Sequence, residues 1–259
     1  MKTKLLCSAA VLLAGSLLSA VAAPGDDITN AVNSLAGKSG YSWKTTVVVP
    51  EGTQFRPGDS SGKTEKDGYT DMKQSMMGND MEIITKGDKV AISTPDNGWQ
   101  SPDTGDDQGP GRFMAMMARG AQTPVVQAAA VAAGAADLKQ DGDVISGNLS
   151  EAGAKGLLAM RRGGRGGGGP GGPGGPGGPG GGGPDISNAK GSVKFWIKDG
   201  TLTKYEFKVT GAMSFNGNDM DIDRDTTVEI TDIGTTKVTV PAEALKILAP
   251  APAAATAPK

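Results

Sequence analysis

The sequence predicts an α+β fold, a curved antiparallel sheet with a few helices packed on or in it, and three observations predict it. Between Gly191 and Pro241 long runs alternate apolar and polar residues, the period-two pattern of half-buried strands. Asp199-Gly200 and Asn216-Gly217 punctuate those runs, and such pairs take the positive φ angles of tight hairpin turns. Shorter alternating runs with Gly-containing breaks fill residues 41–99, while helical spacing is confined to short segments.

In the C-terminal series Val193, Phe195 and Ile197 alternate with Lys194 and Lys198. Asp199-Gly200 then turns the chain into a strand whose inward phase is Tyr205, Phe207, Val209, Met213 and Phe215. After Asn216-Gly217 the inward phase is Met220, Ile222, Thr226, Val228 and Ile230, and Arg224 breaks that row. Asp219, Asp221, Asp223 and Asp225 face outward. Asp232-Ile233-Gly234 bends the chain into Lys237–Val240, a fourth strand ended by Pro241, which has no N–H to donate.

From the start of the chain, a basic Met1–Lys4 precedes an apolar run from Leu5 to Leu18 and the small-residue pattern Ala20-Val21-Ala22. That is the pattern of a secretory signal peptide, residues 1–22, cleaved after Ala22, which places the mature chain in the periplasm or outside the cell without a transmembrane span. Asp26-Asp27 cap a short helix with Ile28, Val32 and Leu35 on one face and Gly37 or Gly40 at its end. Tyr41–Val49 is the first strand, and after a Gly- and Pro-containing loop Lys63–Met77, Met81–Lys86, Lys89–Thr94 and Gly98-Trp99 read as a meander.

Phe113, Met114, Met116 and Met117 have helical spacing after a polar loop. Thr123 and Pro124 open a helix over Val125–Leu138, made almost entirely of Ala and Val. It is read as packed against the sheet; the functional alternative is a lid whose Met side chains adapt to apolar ligands. Asp143–Leu149 is a short strand, and Ser150 caps a helix carrying Ala154, Leu157, Leu158 and Met160.

Residues 161–184 are a Gly/Pro tract that cannot bury apolar area, and residues 249–259 are an Ala/Pro tail; both are expected to be disordered. Strand-like sequence on both sides makes the tract an insertion into one domain, whose first part is 23–160 and whose C-terminal meander is 185–248. The tract is too short for a collagen array. Arg161, Arg162 and Arg165 among glycines resemble an RNA-binding RGG segment, which an exported chain has little use for, and a flexible linker is the preferred reading.

The inventory excludes whole classes of chemistry. There is no His, and Cys7, inside the predicted signal, is the only Cys. Disulfides, imidazole or thiolate metal sites, cysteine nucleophiles and Ser-His-Asp triads have no residues to build them. The net charge is −2, and −4 once Lys2 and Lys4 leave with the signal, so no nucleic-acid partner is expected. The aspartate ladder is the one candidate hard-cation site, yet an EF-hand loop from Asp219 would need Gly at Arg224 and Glu at Ile230. It is read as a solvated face that opposes edge pairing, too exposed for paired-carboxylate catalysis. No metal, no cofactor and no enzymatic activity are expected.

Gly147-Asn148-Leu149-Ser150 with the helix to Leu158, then Val193–Gly200, Lys204–Val209, Val228–Gly234 and Val238-Thr239-Val240-Pro241-Ala242, resemble the C-terminal half of the LolA/LppX-like lipoprotein-carrier superfamily. The order of N-terminal helix, strands and central helices extends the resemblance over most of the mature chain. It departs from the pattern in lacking a lipobox and in carrying the Gly-rich insertion. The resemblance implies an incomplete β-barrel, a half-barrel wrapped around helices, whose concave face shelters an acyl lipid or a lipoprotein without covalent chemistry. Phe195, Ile197, Tyr205, Phe207, Val209, Met213, Ile222 and Val228 are then the residues for core or cavity lining. The competing reading is an envelope scaffold that uses the half-barrel to hold a protein partner and no lipid.

Overall fold

The computed structural model describes residues 23–51, 53, 58–76, 79–102, 120–159, 185–215 and 218–249. The predicted signal peptide, the Phe113–Met117 segment, the Asn216-Gly217 turn, the whole Gly/Pro tract and most of the tail lie outside the described residues.

Helix α1 (Pro24–Ala36) opens on Pro24 with Ala23 at the N-cap, so Asp26 and Asp27 are not caps. They sit in the first turn, where the helix dipole favours negative charge. Its Ile28, Val32 and Leu35 are all buried, as their spacing predicts, and Gly37 ends it. Strand β1 (Gly40–Val48) follows. The expected single run over Lys63–Met77 is two strands, β2 (Ser60–Glu65) and β3 (Thr70–Met76), because the chain reverses at Lys66–Gly68 with Asp67 at φ 57°. Strands β4 (Asn79–Lys86), β5 (Lys89–Thr94) and β6 (Gly98–Gln100) complete this meander.

Helix α2 (Pro124–Ala133) stops well short of Leu138. Gly134 ends it, and Ala135–Asp141 is strand β7, paired with β8 (Val144–Leu149) from Ala135↔Leu149 to Asp141↔Val144. Alanine's helix propensity of a few tenths of a kcal/mol per residue is overridden here by a strand ladder. Helix α3 (Glu151–Ala159) is capped as predicted, the Gly153 N–H donating to Ser150 Oγ at 3.1 Å. Then come β9 (Asp185–Lys198), β10 (Thr201–Phe215), β11 (Asn218–Thr231) and helix α4 (Ala242–Leu248).

The strands form one antiparallel sheet in the order β6-β5-β4-β3-β2-β1-β11-β10-β9-β8-β7. It is an open, curved half-barrel, with β6 and β7 as its edges among the described residues. Hairpin registers follow the turn chemistry: Lys198 pairs with Thr201 around Asp199 (φ 49°) and Gly200 (φ 68°). Phe215 pairs with Asn218, so the β10–β11 link is two residues long.

The expected fourth strand of the C-terminal meander is absent. Over Asp225–Thr231 the flank of β11 away from β10 is taken by β1, which joins the two meanders from Val48↔Asp225 to Ser42↔Thr231. The Asp232–Gly234 bend is tied to β1 instead, by Gly234 N–H to Gly40 O at 2.7 Å and by the Ser42–Thr236 hydroxyl pair at 2.9 Å. Residues 237–240 run on unpaired, and Pro241 stands at the N-cap of α4, which local sequence did not announce.

Two layers of core result. On the concave face α1, α2 and α3 pack against β1 and β8–β11 around Leu35, Val131, Leu158, Phe195 and Tyr205. On the opposite face Ala244 and Leu248 of α4 cover Ile84 and Ala91. Burying a Leu-sized side chain in this way contributes about 1.5–3 kcal/mol.

Candidate functional site

Strand pairing brings one row of residues across the concave face. It runs Gln74 (β3), Ser60 (β2), Thr45 (β1), Val228 (β11), Tyr205 (β10), Phe195 (β9) and Ile145 (β8), each in register with the next. The first three are polar and the last four apolar or aromatic. A parallel row runs Ile92, Ile83, Met72, Gly62, Trp43 and Ile230. The first row therefore changes from hydrogen-bonding to hydrocarbon character along its length, while the second is apolar on both halves of the sheet.

Helices cover only part of this face, and between them and the sheet lies a cavity of about 250 Å³. Its floor is Trp43, Thr45, Ser60, Met72 and Gln74 on one side and Tyr205, Phe207 and Arg224 on the other. Its roof is Gly120–Gln122, Pro124 and Gln127 at the start of α2, with Leu157 of α3. Phe207, Tyr205 and Phe195 make a stack with centroid separations of 6.4 and 6.3 Å, and Tyr41 and Trp43 are 5.9 Å apart. Offset aromatic contacts of this kind add about 0.5–1.5 kcal/mol each beyond area burial.

Tyr205 is wholly buried, and that burial pushes its phenol well above its ordinary range, with Tyr41 adding to the effect. It stays protonated and donates to Gln127 Oε1 at 2.7 Å, which pins α2 over the cavity. On the polar side the Gln74 side-chain nitrogen is buried and has no hydrogen-bond partner among the described residues. A buried donor left in that state costs about 1–3 kcal/mol. Arg224 is the inward cation of β11, one residue past the last β1 pair, and no carboxylate lines the cavity among the described residues. Lys73 borders the cavity but carries its ammonium to Glu82 at 3.5 Å.

Of the residues the sequence offered for lining, Tyr205 and Phe207 face the cavity. Phe195, Val209 and Val228 are buried within the core, and Ile197 and Ile222 are part-buried against it. Met213 is part-buried towards the tip of the β10–β11 hairpin, and Met220, expected inward, is 52% exposed. The N-terminal contributors Trp43, Met72 and Gln74 were missed. Trp43 was in the right phase of its strand, while Met72 and Gln74 were hidden by reading two strands as one. Among the described residues no cluster of His, Cys, Asp or Glu could hold a metal ion. Asp223 and Asp225 are instead bridged by Lys208 at 2.9 and 3.3 Å.

No family model and no curated protein sequence matches the chain. Among solved structures it is similar to the lipoprotein LppX of Mycobacterium tuberculosis, with a TM-score of 0.43 and 9% identity over 83% of this chain and 97% of that one. It is also similar to LprF of Mycobacterium bovis, with a TM-score of 0.41 and 11% identity over 85% of this chain and 96% of that one. Among the described residues no helix is long and apolar enough to cross a membrane.

Proposed function

We propose that this chain is an exported, non-catalytic carrier of the cell envelope that holds a lipid, or the acyl part of a lipoprotein, on the concave face of its half-barrel. The observation that carries the reading is the cavity of about 250 Å³ between helices and sheet, floored by Trp43, Met72, Tyr205 and Phe207. It exceeds the volume of about 150 Å³ that suffices to hold a benzene molecule in an apolar core. It is just short of the range of about 300–1,000 Å³ that encloses whole drug-sized ligands, which suits a segment of one acyl chain. Each buried methylene contributes about 0.8 kcal/mol, so affinity rises with the length of acyl chain that the face shelters. A chain without His, whose one Cys stands at position 7 of the predicted signal, has few means of attacking what it holds.

Native mass spectrometry of protein purified from the envelope fraction, with organic extraction of the same sample, tests this. Bound acyl species and a mature chain beginning at Ala23 are expected. Lipid-free, well-folded protein that ignores a fluorescent fatty-acid probe overturns the carrier and leaves the scaffold reading, in which the same face takes a protein partner.

A further inference from the structure

Given the carrier reading, on which the assignment rests, we infer that the cavity selects an uncharged acyl carbonyl, an ester or an amide, whose oxygen accepts a hydrogen bond from the Gln74 side chain. Gln74 stands on the concave face of β3, in register with Met81 of β4 on one flank and Ser60 of β2 on the other. Met81 is buried in an apolar cluster with Ile83 and Ile92, so the β4 flank offers the amide only hydrocarbon. Met72, two positions back on the same strand and face, does the same. The amide nitrogen is buried and has no acceptor among the described residues. A sheet that only filled a core would gain from leucine or methionine at this position, since a buried donor left unpaired is destabilising.

Gln74 lines the cavity, and no hydrogen bond holds its nitrogen, so rotation about the terminal side-chain torsion turns the N–H to a ligand without breaking a bond already made. The groups next to it are neutral as well. Ser60 and then Thr45 follow in the same registered row and line the cavity, each about 5 Å from its neighbour, as cross-strand partners are. The two cations at the cavity are committed elsewhere: the Lys73 ammonium lies 3.5 Å from Glu82, and Arg224 is already engaged. A carboxylate brought here would lose its water to a neutral amide and hydroxyls, whereas a carbonyl loses far less. Met72, Trp43 and Phe207 supply hydrocarbon along the rest of the wall. An acyl ester or amide sets an uncharged acceptor oxygen directly at the head of a hydrocarbon chain, which is the sequence of chemistry that this wall presents.

The test is displacement of the fluorescent probe phenylnaphthylamine from delipidated mature protein by methyl decanoate, N-methyldecanamide, decanoate and decane, in wild type and in Gln74→Leu. Comparing each ligand across the two proteins cancels its own cost of leaving water. Gln74→Leu should weaken the ester or the amide by about threefold to tenfold, the worth of one hydrogen bond, and leave decane and decanoate unchanged within about twofold. The larger loss identifies the source, an ester-linked lipid chain or an amide-linked one. The ligand-free variant should also unfold at a higher denaturant midpoint than wild type, because the unpaired donor is gone. Circular dichroism checks the fold, and Gln74→Met, of similar length without the amide, repeats the comparison if the leucine variant does not fold. Equal loss for decane and for both carbonyl ligands, or none for any, overturns the role of Gln74 and leaves the carrier standing. A loss for decanoate as large as for the ester overturns the choice of an uncharged group. A lower midpoint in both variants shows that the amide is satisfied within the fold and overturns the assignment. Failure of the probe and all four ligands to bind folded wild-type protein overturns the carrier and the assignment together.

Discussion

Trp43 lies across Gly62 of the neighbouring strand, so closely that a Cβ on that glycine would stand 2.2 Å from the indole Cζ2. The ring is 6% exposed and has no slack to retreat. Gly62→Ala should therefore lower stability by about 1–3 kcal/mol, the usual cost of overpacking, and shift the tryptophan emission to the red. A chemical-denaturation midpoint indistinguishable from wild type would refute this. Asp71, on the other face, is pushed up to about 6, first by burial and then by the Glu82 charge, against the pull of Lys73 and Lys63. The native state thus holds a proton that the unfolded chain has already lost, and stability falls as pH rises from 3.8 to about 6. Asp71→Asn should recover about 1 kcal/mol at pH 7, after allowance for the solvent that still reaches the carboxyl, and nothing below pH 4. Parallel stability–pH curves for the two proteins would contradict it.

Helix α4 is the element whose removal should be felt at a distance. Its Ala244 and Leu248 cover Ile84 and Ala91, both wholly buried, on the face away from the cavity. Leu248→Asp puts a charge into that contact and should cost about 3–5 kcal/mol, with the ligand-binding face unaltered. Equilibrium unfolding measures the first, and fatty-acid-probe affinity below the transition the second. The hairpins were readable before the structure because alternation and turn chemistry agreed, as at Asp199-Gly200. The same reading failed where one signal spoke without the other. Ala135–Asp141 looked helical, since its strand character comes only from its ladder to Val144–Leu149. Residues 237–240 looked like a strand, since nothing local says that β1 has already taken their place beside β11. The cavity was half legible: Arg224 stood out as a break in its row, but the residues facing it came from strands more than a hundred positions earlier.

Across the whole molecule, β1 and α1 join the two meanders. Strand β1 pairs with β11 over seven registered positions, and α1, preceding it, packs on β10, β9, β7 and α2. The seam residues Tyr41, Trp43, Val228 and Ile230 belong to the main core, which predicts that opening it unfolds the molecule in one cooperative transition. The three tryptophans report on it independently, from β1 at the seam (Trp43), from β6 at one edge (Trp99) and from β9 in the C-terminal meander (Trp196). Variants each retaining one of them should unfold with coincident normalised curves, and a separate earlier transition seen only through Trp99 would show that the N-terminal meander loosens alone. Within that single transition the strands are not equivalent. Consecutive residues Ile83 and Ile84 of β4 are both fully buried because helix α4 seals one face and the concave core the other. Water has no side from which to reach that backbone without large-scale opening, so the β4 amides should exchange with deuterium more slowly than any others in the N-terminal meander.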